Sequence, residues 1–139
     1  MLRLTRRSEY GLMALAYLAS RPGEYCSVRE IVEELKLPKR LLAEVLKDLS
    51  RAELLEATRG PGGGYRLTQP AERLALARVV EVLEGPVAMT DCMAHSCDLE
   101  ASCIIQTGIG RVTRNIRNVL EGMTVAELLP AQPETPLAV

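Results

Sequence analysis

The sequence predicts a mainly α-helical chain with one small β-hairpin wing: a winged helix-turn-helix followed by a long dimerisation helix. Three observations lead there. Apolar residues recur at helical spacing along most of the 139 residues. Two helical segments parted by a Leu-Pro turn precede two short strand-like segments around a glycine-rich stretch. Near the C-terminus the apolar positions 105, 109, 112, 116, 119 and 123 alternate in steps of four and three, the seam spacing of a coiled coil. With no Phe and no Trp, the core has to be built from Leu, Val, Ile, Ala and Met, which suits packed helices.

Arg6 to Ser20 reads as the first helix. Tyr10, Met13, Ala14 and Tyr17 line one face, and Leu12, Leu15, Ala16 and Leu18 extend the apolar surface around it. Such a helix has to be buried on more than one side, which in a small chain points to a partner subunit. Arg21-Pro22-Gly23 ends it. The second helix, Ser27 to Leu35, opens on a Ser27/Glu30 capping box. Pro38 suits the first position of the third helix. That helix buries Leu42, Val45, Leu46 and Leu49 and turns Lys39, Arg40, Ala43, Glu44 and Lys47 outward.

Leu54 to Ala57 and Tyr65 to Leu67 are the strand candidates of a hairpin around Arg59-Gly60-Pro61-Gly62-Gly63-Gly64. Leu76, Val79, Val80 and Leu83 mark a fourth helix, stopped by Gly85-Pro86. Residues 87–103 read as an irregular loop. The seam follows, its helix expected to begin late because Gly108 and Gly110 weaken the first turn. A Thr124/Glu127 capping box opens a short last helix, and Pro130, Pro133 and Pro136 mark a mobile tail. The predicted organisation is residues 1–84 as the winged helix-turn-helix, 85–104 as a cysteine loop, 105–130 as dimerisation helix and short C-terminal helix, and 131–139 as tail.

Charge is uneven. Residues 1–70 carry 12 Lys+Arg against 9 Asp+Glu, and residues 71–139 carry 5 against 9. A basic first half joined to an acidic second half suits a nucleic-acid module attached to another element. No apolar run reaches the roughly 20 residues that span a membrane. No signal-peptide core follows the N-terminal charges, so the expected location is cytoplasmic. One His, no nucleophile–base motif and no nucleotide fingerprint argue against an enzyme and against a small-molecule substrate. The glycine run is not a phosphate loop, because no Gly-Lys-Ser/Thr follows it.

In a winged helix-turn-helix the third helix lies in the major groove with its N-terminal residues at the base edges. Lys39 and Arg40 stand at that end, where Arg40 can bond a guanine bidentately and Lys39 can reach a base or a phosphate. Lys47, two turns on, is placed to meet backbone phosphate. At the hairpin tip Arg59 can enter a narrow minor groove, and Gly62, Gly63 and Gly64 let the backbone come close to phosphates. The expected partners are thus double-stranded operator DNA and a second copy of the chain.

Arg3-Leu4-Thr5, Arg59-Gly60-Pro61-Gly62-Gly63-Gly64-Tyr65, Val82-Leu83-Glu84-Gly85-Pro86, a cysteine cluster and the ending Thr124-Val125-Ala126-Glu127-Leu128-Leu129 together resemble the IscR/NsrR family of winged-helix repressors. The resemblance extends over residues 1 to about 130, and its glycine-rich stretch is the most specific part. It implies a homodimer, operator DNA with Arg3 among the contacts, and, in many members, an iron–sulfur cluster held by three cysteines.

Cys92, Cys97 and Cys103 are spaced C-x4-C-x5-C. Thiolates are the preferred ligands of iron–sulfur clusters, so a 4Fe-4S or 2Fe-2S cluster is the expected cofactor. The first gap is one residue shorter than the five usual in cluster-binding members. Zinc is the alternative, with Cys92, His95, Cys97 and Cys103 as a Cys3His site. The resemblance suggests two fourth ligands for a cluster. Where some members have a histidine after the last cysteine, Gln106 stands here; where others supply a carboxylate from the partner's first helix, the aligned position is Glu9. Glu9 in trans is the favoured assignment, with His95 second. Cys26 reads as a small apolar residue at a helix start. The function expected is a repressor whose operator affinity follows nitric oxide, redox state or iron supply, the alternative being a zinc-stabilised repressor with no sensing role.

Overall fold

A computed structural model describes residues 3–90 and 98–130. Five α-helices run Arg6–Ala19 (α1), Val28–Leu35 (α2), Lys39–Arg51 (α3), Leu76–Glu84 (α4) and Gln106–Gly122 (α5). Strands Leu55–Thr58 (β1) and Gly64–Leu67 (β2) pair antiparallel, with Leu55 opposite Leu67 and Thr58 opposite Gly64. Helix, turn, helix and two-stranded wing follow in the order the pattern predicts. The first strand is shifted one residue towards the tip at both ends, to Leu55–Thr58, and the second starts one residue early, at Gly64.

Helix α1 runs through the middle. Thr5 caps it, its hydroxyl accepting from the Ser8 amide at 3.3 Å. Ala14, Leu15 and Leu18 are sealed within the core. The chain's own α2, α3, α4, β2 and C-terminal turn supply most of the cover, which is why so apolar a helix needs less of a partner than its composition suggests. Met13 and Glu9 stay outward. Gly11 makes the packing close: a Cβ there would collide with the Leu83 side chain and come within 3.2 Å of Val45. Glycine lowers helix propensity, but here it lets α3 and α4 approach α1.

Ser27 caps α2, accepting from the Glu30 amide at 3.1 Å. The predicted reciprocal bond is not made: the Glu30 carboxylate instead accepts from the Tyr17 hydroxyl at 3.1 Å, joining α2 to α1. Lys36 closes α2 in a left-handed conformation, φ 56° and ψ 46°. Buried Leu37 then pins the turn to the core. Pro38 is the N-cap of α3 and not its first residue. Leu42, Val45, Leu46 and Leu49 are fully buried, as the stripe predicts. In α4 the predicted Leu76, Val79, Val80 and Leu83 are all buried.

Helix α5 begins at Gln106, so Gly108 and Gly110 lie inside it and do not delay its start. After α5 the chain turns back. The Leu76 amide donates to the Met123 carbonyl and the Val125 amide to the Leu74 carbonyl, both at 2.9 Å. Val125 is fully buried in the core of the N-terminal half. The Thr124/Glu127 capping box is complete, but it opens a 3-10 turn, Val125–Leu128, too short for an α-helix.

Candidate nucleic-acid interface and cysteine loop

Burial of one side of α3 leaves its other side to solvent. Lys39, Arg40, Glu44 and Lys47 are exposed along it. Arg40 is 96% exposed at its side chain and only loosely tethered, 3.9 Å from Glu44. Lys39 and Lys47 have no ion pair among the described residues, so their charge faces outward unneutralised. A second clasp sets the pose of α3: Arg7 of α1 bonds Asp48 of α3, and Arg51 lies 3.6 Å from the same carboxylate. Sequence reasoning missed Arg7 and Asp48. Their pairing over 41 positions leaves no local trace.

At the wing tip Arg59 is exposed. Gly62 lies there with φ 74° and open space around it. Gly63 and Gly64 sit differently. A Cβ on Gly63 would come within 2.6 Å of the Thr58 carbonyl, and one on Gly64 within 2.6 Å of the Ser27 nitrogen. Their bareness serves backbone packing inside the protein. Arg3 is exposed ahead of α1.

The N-terminal turn of α1 is also tied to the end of α4. The Thr5 amide donates to Glu84 Oε1 at 2.6 Å. Glu84 supplies the carboxylate that a capping box would draw from within α1, where Ser8 stands instead. Burial alone would raise the Glu84 carboxyl, but the Thr5 hydroxyl and amide and the Ser8 hydroxyl together outweigh it and hold its pKa below the ordinary glutamate value. Beside this junction a groove of about 530 Å3 runs between the N-terminal segment, the end of α4 and α5, with Leu4, Pro86, Met89 and Ile116 among its walls.

Of the predicted ligands, Cys92, His95 and Cys97 lie outside the described residues. Cys103 is half-exposed, between a 3-10 turn at Glu100–Ser102 and α5. Among the described residues no three His, Cys, Asp or Glu side chains are close enough to hold a metal. Glu9 is on the outward face of the first turn of α1, 3.6 Å from Arg6. Gln106, where a histidine ligand would stand, is the first residue of α5. Cys26 is buried, and burial, then the nearby Glu30 carboxylate, push its thiol up to about 11. That is an unreactive core thiol, as expected.

The seam of α5 remains largely uncovered. Ile105 and Val119 are 58% and 61% exposed, and Val112 and Met123 are also exposed. Ile109 and Ile116 are half-buried. Ile104, beside Cys103, is 97% exposed. No helix among the described residues is long and apolar enough to cross a membrane.

The family described as "Rrf2: Iron-dependent Transcriptional regulator" matches residues 4–131. Among solved structures, CymR, described as the global cysteine regulator of B. subtilis, is 26% identical with a TM-score of 0.76, covering 92% of this chain and 96% of that one. The oxidized form of Staphylococcus aureus CymR is 26% identical with a TM-score of 0.74, covering 96% and 100%. T. potens IscR is 25% identical with a TM-score of 0.73, covering 91% and 85%.

Proposed function

The chain belongs to the Rrf2 family of transcriptional regulators, and from that premise we propose that it is a homodimeric repressor whose hold on operator DNA is set by an iron–sulfur cluster on residues 85–104. The DNA-binding part rests on α3, whose buried stripe leaves Lys39, Arg40 and Lys47 outward and free to enter a major groove. Arg59 extends from the wing to a neighbouring groove, and Arg3 adds a basic contact at the chain start. The exposed seam of α5 is the surface for a second copy. Two-fold pairing sets the two α3 helices at half-sites about 34 Å apart or a multiple of that.

The observation that carries the sensing part is Cys103. Unlike Cys26 it is outside the core, half-exposed, at the junction of the loop and the seam helix. With Cys92 and Cys97 it gives three thiols in 12 residues, a donor set suited to a cluster. Glu9, outward on α1, is the proposed fourth ligand across the dimer, with His95 as the rival. When bound, the cluster supplies an iron centre that nitric oxide, oxygen or iron limitation can attack, most readily at a hard carboxylate ligand. The protein's own part is to transmit the change. The loop leaves the end of α4 at Glu84, Glu84 holds the first turn of α1, and Arg7 in that turn holds α3 through Asp48.

The test is anaerobic purification with iron, sulfide and zinc analysis and an absorption spectrum. Brown protein with iron and sulfide is expected. A colourless protein with about one zinc per chain would replace the cluster with a structural Cys3His site.

A further inference from the structure

The glycine run of the wing divides into two parts with different surroundings. Gly60 and Gly62 have φ of 92° and 74° and nothing near a would-be Cβ, as in an ordinary turn. Gly64 has φ 155° and is pressed against main chain: a Cβ would overlap the Cys26 carbonyl and lie 2.6 Å from the Ser27 nitrogen. Main-chain atoms at the start of a helix cannot swing aside as a long side chain would. The contact is held by two hydrogen bonds, Cys26 amide to Tyr65 carbonyl at 2.9 Å and Tyr65 amide to Cys26 carbonyl at 2.8 Å. A second set of contacts locks the same edge. The Arg66 guanidinium lies 4.5 Å over the Tyr25 ring, donates to Glu56 at 2.7 Å and reaches the Gly23 carbonyl at 3.5 Å.

We propose that Gly64 is a positioning residue for DNA binding: it lets segment Gly23–Ser27 dock as a third edge on the wing, so that the wing and α2 move as one piece and Arg59 is held at a set distance from Lys39 and Arg40. This rests on the reading that Arg59 meets DNA. Ser27 is both the edge residue and the N-cap of α2, so a wing pushed off this edge loses its alignment with the helix-turn-helix. A side chain at Gly64 acts through Arg59, by displacing the wing that carries it.

A double-mutant cycle on operator affinity tests this, with folding checked by circular dichroism and thermal unfolding. Gly64→Ala and Arg59→Ala are each expected to weaken binding on the order of tenfold, and the double variant no more than the weaker-binding single. Gly62→Ala, whose φ of 74° is also left-handed but whose surroundings are open, serves as the control on free protein only, because Gly62 is among the residues expected near phosphate. Arg66→Ala, which loosens the same edge without a clash, should give a smaller loss that also vanishes in the Arg59→Ala background. An unchanged affinity for Gly64→Ala, or a loss that adds in full to that of Arg59→Ala, overturns the proposal. If Arg59→Ala alone has no effect, the wing contact itself is wrong. The edge is then judged on free protein: amide resonances of Ser27 and Glu30 should shift in Gly64→Ala and not in Gly62→Ala, and unmoved resonances would end the idea.

Discussion

Arg40 and Lys47 share one face of α3, and the proposed binding mode gives them different work. There Arg40, in the first turn and almost fully exposed, would meet a base edge. Arg40→Ala should weaken operator binding by roughly 1–3 kcal/mol and leave random-sequence DNA little affected. Equal losses on both DNAs in a fluorescence titration would make it a phosphate contact. Lys47, two turns further, would meet backbone phosphate in the same mode. Lys47→Ala should lower affinity for operator and random DNA alike and reduce the log–log salt slope by about 1. The ion pair between Arg40 and Glu44 at 3.9 Å is loose and exposed, so it restrains Arg40 little before DNA arrives.

Between elements, the junction of α4 with α1 has a pH signature. The Glu84 carboxyl is held below its ordinary value by the Thr5 hydroxyl and amide and the Ser8 hydroxyl. The unfolded chain therefore binds the proton more readily than the folded one. The stabilisation is complete above the ordinary glutamate range and is lost as pH falls through the lowered folded value. Parent and Glu84→Gln should differ most in urea midpoint at neutral pH and converge once the pH has fallen below the lowered Glu84 value. A constant gap across that window would mean the bond does not depend on charge. The seam of α5 gives a second expectation. Ile116 is half-buried and lines the groove beside α4, so a charge there would disturb the monomer as well as a dimer. Val119, more exposed at 61%, separates the two. Val119→Asp should sediment as a folded monomer with operator affinity sharply reduced, whereas a retained dimer would place the interface elsewhere.

At the scale of the molecule, the end of α4, α1 and α3 form one chain of contacts through Glu84, Thr5, Arg7 and Asp48. Replacing any one of Cys92, Cys97 or Cys103 by Ser should abolish stable cluster assembly, read as loss of visible absorption and of bound iron and sulfide after anaerobic purification. Glu9→Ala should still assemble the cluster but shorten its lifetime in air, because the softer thiolates remain and only the harder carboxylate is gone. If His95→Ala alters spectrum and lifetime while Glu9→Ala alters neither, the fourth ligand sits in the loop.

What the sequence determined by itself is local. Helical periodicity located the buried stripes of α3 and α4, because 3.6 residues per turn places i, i+3, i+4 and i+7 on one side. Ser27 and Thr124 marked two starts, because a capping hydroxyl bonds amides only two or three residues ahead. The glycine run marked the wing. Tertiary structure decided what joins distant segments. Glu30 left its own helix start for Tyr17, 13 residues back. Gly11 became the place where Leu83 and Val45 come in. Glu84 found Thr5 across 79 positions. Val125 returned to the core of the first half, and Gly64 met the Cys26 carbonyl. None of these has a periodic trace, because each contact depends on how closely two elements pack, and only folding brings them together.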